Sequence, residues 1–196
     1  YTLAQSYSDD DSERDAGGFG YVNSFDLQPE YHFSALDIRH NFTANTVYSL
    51  PFGFQISGIW RARSGLPFNP VAGTDLNRDG NNNDRPYFGP GQPFLRNYFR
   101  NRGFTTTDMR LLKNFNVKGD RVRIQFSVEA FNLFDIDNVV FAGITNIYGP
   151  GFQANGTTAA VNANFMRLRN DNGTYFNQNA QLGNPRQLQG GLRFFF

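Results

Sequence analysis

Apolar and polar residues alternate along several stretches of the chain, and this two-residue period is the feature that most limits the possible fold. In the stretch RVRIQFSVEA, residues 122, 124, 126, 128 and 130 are apolar, whereas residues 121, 123, 125, 127 and 129 are polar. Such a period is typical of a β-strand with one apolar face. The same alternation occurs in residues 37–50, 52–63, 105–115 and 187–196.

The lengths of the strands and of their connections favour one all-β architecture. The alternation predicts strands near 1–7, 36–50, 52–68, 105–115, 121–134 and 186–196. Short connections at 51–53 and 116–120 alternate with long ones at 8–35, 69–104 and 135–185. Short periplasmic turns and long extracellular loops characterise transmembrane antiparallel β-barrels, so we predict this fold class and location in the bacterial outer membrane. A soluble β-sandwich also alternates, but it explains the long strands and unequal loops less well.

Composition agrees with this interpretation and excludes several function classes. Aromatic residues make up 16% of the chain, yet the mean hydropathy is -0.51. The chain has no cysteine, which excludes disulfides and cysteine-ligated metals. A net charge of +1 gives no reason to expect nucleic acid as a partner. The motifs G-x-S-x-G, H-E-x-x-H and the P-loop do not occur, and we expect no enzymatic activity.

The stretch DLNRDGNNNDRP contains a candidate calcium-binding loop. Its oxygen-bearing side chains are spaced as in the first half of a Ca²⁺ loop, and Gly80 stands at the sixth position, where a sharp turn is needed. Position 12 is Pro86 instead of glutamate, so another carboxylate has to complete the site. The predicted ligands are Asp75, Asn77, Asp79, Asn81 and Asp84. The alternative is a surface turn rich in asparagine and glycine.

Other polar segments are expected in the loops and on the inner wall of the barrel. The acidic run at 9–15 is predicted to be a solvated loop, and the aromatic and basic stretch at 85–104 either contacts ligand or packs on its neighbours. A polar wall that faces the lumen is predicted to contain Asp37, Arg39, Asn41, Arg61, Arg63, Asp108, Arg110, Arg121, Arg123 and Glu129.

The chain ends on GGLRFFF, and a terminal membrane strand would explain its three consecutive phenylalanines. In a terminal membrane strand, Phe194 and Phe196 would face lipid, and Phe195 would face the lumen. An aromatic end resembles the β-signal of outer-membrane barrels, which implies the barrel assembly machinery as a partner through Phe196.

The order of these motifs resembles the end of a TonB-dependent outer-membrane transporter of the Oar-like branch, whose members carry a carboxypeptidase-regulatory-like domain. The stretches that carry the resemblance are YTLAQSYSDD, ALDIRHNFTANTVYSLPFGFQISGIWRARSGLPFNP, DMRLLKNF, RIQFSVEAFNLFD and GGLRFFF. It implies that residues 1–196 are the C-terminal portion of a 22-stranded barrel with a plug.

The same resemblance implies import of an unidentified ligand, with the TonB complex engaged through an N-terminal part that these residues do not include. Outer-membrane lipid and the ligand are the other expected partners. A structural or adhesive surface protein anchored by the barrel is the main alternative, and a soluble binding module is a further one.

Overall fold

A computed structural model gives the structure of the chain and describes residues 1–10, 21–23, 25–72, 75–80, 84–89, 92–117, 122–141, 164–175 and 183–196. Short 3₁₀ turns occur at Gln28–Glu30 and Pro51–Gly53. The strands within these residues are β1 (Thr2–Leu3), β2 (Tyr7–Ser8), β3 (His32–Phe33), β4 (His40–Leu50), β5 (Phe54–Arg63), β6 (Pro67–Phe68), β7 (Tyr87–Gly89), β8 (Gln92–Pro93), β9 (Phe99–Arg100), β10 (Phe104–Asn116), β11 (Arg123–Phe131) and β12 (Gln187–Phe195).

Six of these strands form one antiparallel sheet in the order β1-β4-β5-β10-β11-β12. The register places apolar residues opposite apolar residues, for example Ala44 opposite Trp60 and Leu111 opposite Val128. The apolar sets of neighbouring strands therefore lie on the same face. The all-β antiparallel fold that the alternation predicts is confirmed.

The apolar face of the sheet is exposed. Trp60 is 47% exposed, Leu192 57% and Phe194 59%, and the described residues contain no second sheet of comparable size that covers them. A soluble sandwich would bury this face against its partner sheet. An exposed apolar surface of this extent requires an apolar environment, which a bilayer provides.

The opposite face is polar and carries ion pairs between neighbouring strands. Arg61 Nη1 lies 3.1 Å from Asp108 Oδ2, and Arg110 Nε lies 3.1 Å from Glu129 Oε1. The Arg123 guanidinium lies 4.5 Å from the centroid of the Phe195 ring, which places Phe195 on this face as predicted. Arg121 lies outside the described residues.

The turn between β4 and β5 requires glycine. Phe52 has φ of 63° and Gly53 has φ of 77°, both in the left-handed region. A Cβ atom on Gly53 would lie 2.8 Å from the carbonyl oxygen of Asn114 on β10. The tight turn and the close approach of β10 together explain the sequence Pro-Phe-Gly at this point.

The segments at the opposite end of the sheet pack on one another and form what we call the loop layer, residues 21–37 and 65–101 where they are described. Within it, β6 pairs with β9 and β7 with β8 in small antiparallel ladders, and β3 pairs with β2 outside the layer. The two segments are joined by backbone contacts, such as the Arg96 N–H donating to Pro29 O at 3.2 Å. The long connections that the sequence predicts at 8–35 and 69–104 are therefore packed together where the structure describes them.

Some strand ends differ from the expected bounds. A strand was expected from residue 36, but β4 begins at His40, because the Asp37 N–H donates to Ser34 O at 2.9 Å in a turn. Asp37 consequently lies in the loop layer and not on the polar wall, where the alternation places it. Among the described residues, no helix is long and apolar enough to cross a membrane.

Candidate ligand-binding site in the loop layer

A buried ion pair joins the two segments of the loop layer. Both terminal nitrogens of the Arg85 guanidinium donate to Glu30, with Nη1 to Oε2 at 2.6 Å and Nη2 to Oε1 at 2.7 Å. The Glu30 side chain is 1% exposed and that of Arg85 3%. Two parallel charge-assisted hydrogen bonds fix the relative orientation of the segments as well as their separation.

Further hydrogen bonds satisfy the remaining polar atoms of this pair. Glu30 Oε1 also accepts from the Val22 N–H at 3.1 Å, and the Arg85 Nε–H donates to Phe94 O at 2.8 Å. The 3₁₀ turn Gln28–Glu30 presents Glu30 at this point, and the Gln28 N–H at its start donates to Asp26 Oδ1 at 3.1 Å. The free-energy cost of removing an ion pair from water is offset only when its polar atoms all form hydrogen bonds in this way.

A second ion pair also joins the two segments of the loop layer, and it contacts the residues that follow β1. Asp37 is 1% exposed and pairs with Arg100 on β9, while its Oδ1 accepts from the Ser6 N–H at 2.6 Å. The Arg100 guanidinium also lies 4.6 Å from the centroid of the Phe33 ring. Asp37 therefore links the loop layer to the segment that follows β1.

Aromatic side chains from the stretch 85–104 pack against each other inside this layer. The ring centroids of Phe94 and Phe99 are 5.6 Å apart, and those of Tyr98 and Phe99 are 5.3 Å apart. Phe99 also contacts Phe165, at 5.1 Å, from the third long connection. Of the two roles that the sequence leaves open for this stretch, packing on neighbours is the one that these contacts support.

A cleft of about 490 Å³ opens between the two segments next to the buried ion pair. Its aromatic lining comes from Tyr21, Phe25 and Tyr87, and its carboxylates come from Asp26, Glu30 and Asp79. A cleft of this size, with apolar surfaces and a few polar groups, has the general form of a small-molecule site.

Both tyrosines of the cleft keep their hydroxyl protons over an extended pH range. The pKa of Tyr21 is raised above 10 by desolvation and by the negative charges of Asp10 and Asp9. The pKa of Tyr87 is raised by desolvation and by the charge of Asp84. Both phenols are therefore neutral hydrogen-bond donors and acceptors at neutral pH.

The candidate calcium loop lies at the edge of this cleft, and the structure brings most of its residues together. Asp84 is 1% exposed, and its Oδ2 accepts from the Leu76 and Asn77 N–H groups at 2.6 and 3.0 Å. Asp75 accepts from the N–H groups of Asp79 and Gly80 at 3.1 and 2.9 Å. Asn81 lies outside the described residues.

These bonds close the loop around its carboxylates. Asn77 Nδ2 donates to Val22 O at 2.8 Å, which connects the loop to the segment 21–37 of the loop layer. Grouped acidic and histidine side chains suited to a metal were not found among the described residues. Calcium binding stays a prediction, which the amide and carboxylate oxygens of the loop permit.

The histidines lie apart from the cleft lining. His32 Nδ1 is 2.7 Å from Arg96 O, and His40 Nδ1 is 2.8 Å from the Tyr1 hydroxyl. Each ring thus forms a hydrogen bond with a segment that is distant in the sequence.

Sequence reasoning did not identify the Glu30–Arg85 pair or the cleft beside it. The partners are 55 residues apart, and no periodicity connects them. The only local signal is that each charge is next to a proline, Pro29 and Pro86, in a polar stretch.

Comparison with known families supports the architecture. A family model described as an outer membrane beta barrel domain matches residues 1–96. Searches of curated proteins and of solved structures found no match. The match and the two-faced antiparallel sheet identify the fold as that of an outer-membrane β-barrel, located in the bacterial outer membrane.

Proposed function

We propose that this outer-membrane β-barrel protein is a TonB-dependent transporter or receptor of the Oar-like branch, which binds a ligand at the cell surface and imports it. The observation that carries the proposal is the polar face of the sheet, with its ion pairs Arg61–Asp108 and Arg110–Glu129. A charged inner wall suits a wide lumen that holds water, a plug or a passing solute.

The loop layer supports the receptor part of the proposal. Extracellular loops that only closed the mouth of the barrel would not need a buried bidentate ion pair between distant segments. Such a pair fixes the cleft between the segments in one shape, and a preformed cleft binds its ligand with a smaller loss of entropy. The proposed protein is not an enzyme and takes up its ligand unchanged.

The proposal is tested by isolating the protein with detergent from its native outer membrane and measuring its intact mass. We expect a mass several times the 22.2 kDa of these residues, because a plug and the other barrel strands are needed for transport. In the same cells, cross-linking is expected to capture TonB. A mass near 22.2 kDa together with no TonB adduct would overturn the proposal.

A structural or adhesive surface protein is a second candidate, and exposed apolar side chains on the loop layer favour it. Phe25 is 101% exposed, Leu36 77% and Tyr31 63%. Exposed apolar groups of this size mark contact surfaces. This candidate predicts that deletion of the gene reduces cell adhesion, whereas deletion of TonB leaves that adhesion unchanged.

A further inference from the structure

We propose that a second groove of the loop layer binds a neutral oligosaccharide, through the ring of Tyr98 and the side-chain amides of Gln28 and Gln92. The groove has a volume of about 530 Å³, and both segments line it, with residues 28–29 from the first and 92–95 with Tyr98 from the second. We call it the neutral groove. The inference deepens the proposed receptor function, on which it rests, by giving the chemical class of the ligand.

The described lining of the neutral groove contains no charged side chain. Its polar side-chain groups are the amides of Gln28 and Gln92 and the hydroxyl of Tyr98. A carboxylate or an ammonium group would lose part of its hydration in such a groove without gaining a partner of opposite charge, which costs free energy. The lining therefore favours an uncharged ligand.

The two amides suit a ligand that carries many hydroxyl groups. An amide has two N–H donors and one acceptor oxygen, and a hydroxyl both donates and accepts, so the two groups can pair in several orientations. Both glutamines are exposed, and among the described residues neither side-chain amide has a hydrogen-bond partner. Because Gln28 and Gln92 come from different segments, a ligand between them can contact both.

The Tyr98 ring gives the groove a fixed apolar surface. Its centroid is 5.3 Å from that of Phe94 and 6.2 Å from that of His32, whose ring lies at 20° to it. Tyr98 is nevertheless 51% exposed. One face of a pyranose ring presents C–H groups, which pack on an aromatic face because its negative charge attracts their hydrogens. A ring that is already held by its neighbours loses little entropy when the sugar binds.

Further rings continue from Tyr98 beyond the groove. His32 lies 6.3 Å from Tyr7, and the rings of Tyr7 and Tyr31 are stacked at 5.9 Å. Tyr7 is 44% exposed and Tyr31 63%. The His32 ring is itself held, since its Nδ1–H donates to Arg96 O at 2.7 Å. A row of exposed rings can contact several sugar units, so a longer saccharide is expected to bind more tightly than a short one.

The test is isothermal titration calorimetry of the whole protein in octyl-tetraoxyethylene, a detergent whose head group is neither a sugar nor charged. The neutral probes are maltohexaose, cellohexaose, mannohexaose and N-acetylated chitohexaose, and the charged ones are hexagalacturonate and deacetylated chitohexaose. We expect at least one neutral hexasaccharide to bind, and its disaccharide to bind about tenfold more weakly. Added salt should leave this affinity unchanged, because screening acts on charges.

Variants locate the site. Tyr98→Ala is expected to weaken binding of that hexasaccharide about tenfold, whereas Tyr98→Phe keeps the ring and should stay within about twofold of wild type. Gln28→Ala and Gln92→Ala each remove an exposed amide that the fold does not use, and each should weaken binding about twofold to tenfold. The control Phe25→Ala removes a fully exposed ring that lines the cleft beside the ion pair but not the neutral groove, and it should leave binding unchanged.

The inference is overturned if none of the neutral hexasaccharides binds, or if a charged hexasaccharide or capped tetraglycine binds as tightly as the best of them. It is also overturned if Phe25→Ala weakens binding as much as Tyr98→Ala, or if both glutamine variants bind like wild type. The titration requires neither uptake nor TonB, so its failure leaves the expected mass and TonB adduct unchanged, and their failure leaves saccharide binding measurable.

Discussion

Replacement of Arg85 by alanine should release the two segments of the loop layer while leaving the sheet folded. The substitution would leave Glu30 with its carboxylate 1% exposed and without its bidentate partner. Removing one partner of a buried ion pair typically costs about 3–5 kcal/mol. Because every 1.4 kcal/mol is a factor of ten, local opening of the layer should become about 10²–10⁴ times more frequent.

Hydrogen exchange of the intact protein in detergent measures this opening. Amide protection should fall by about 10²–10⁴-fold in Gln28–Glu30 and in residues 84–89 and 92–97, but stay unchanged in β10 and β11. The matched control is Arg61→Ala, which breaks an ion pair whose arginine is 48% exposed. Exposed pairs contribute about 0–1 kcal/mol, so protection should change less than about fivefold there.

A double variant separates the ion pair from packing. Arg85→Met combined with Glu30→Met removes both charges together, and it should recover most of the protection lost in Arg85→Ala. The reasoning is refuted if Arg85→Ala changes exchange no more than Arg61→Ala does, or if the double variant is as poorly protected as the single one.

Three further predictions concern other parts of the chain. Gly53→Ala should destabilise the barrel by at least about 1–2 kcal/mol through its positive φ, with a further cost because the new Cβ would lie 2.8 Å from Asn114 O; a lower urea midpoint than wild type checks this, and an unchanged midpoint would contradict it. Calcium should release heat on titration and protect the loop layer from protease, with both effects lost in Asp79→Ala; no heat and no protection would refute the site. Phe196→Ser should lower the amount of assembled barrel in the outer membrane, as quantified by immunoblot of unheated samples; wild-type levels would exclude a role for this ring in assembly.

The sheet could be predicted from the sequence because its determinant is local. A side chain two positions along a strand returns to the same face, so alternation within ten residues reports the environment of each face. The alternation fails where an apolar residue on the polar face is buried by its neighbours. Leu112, for example, belongs by register to the polar face opposite Ser127, yet it is 6% exposed.

The loop layer could not be predicted because its determinants are distant in the chain. Glu30 and Arg85, or Asp37 and Arg100, are each separated by more than fifty residues, and only the folded chain shows that they pair. Asp37 shows the limit clearly, since by alternation it belongs to the polar wall. The turn at Ser34 and the pairing with Arg100 take it into the loop layer instead.

The apolar face itself determines how deep the sheet lies in the bilayer. Along β10, Thr105 and Phe115 are ten residues apart, about 33 Å at the rise of an antiparallel strand. With the usual barrel tilt of about 40°, this becomes about 25 Å along the membrane normal, the height of the apolar band of outer-membrane barrels. Aromatic rings mark both limits: Phe42 and Trp60 contact each other at 4.9 Å near one end, and Phe115 lies at the other.

Lys113 agrees with this placement. It is the one charged residue on the apolar face in the described part of β10, and it lies at the end near the turn. Its ammonium donates to Phe52 O and lies 4.1 Å from the centroid of the Phe54 ring. A lysine that reaches back to a turn carbonyl from an apolar face is expected at the membrane interface, where the stem lies in lipid and the charge in water. We therefore expect the tight turn at the membrane interface and the loop layer in water on the other side of the bilayer.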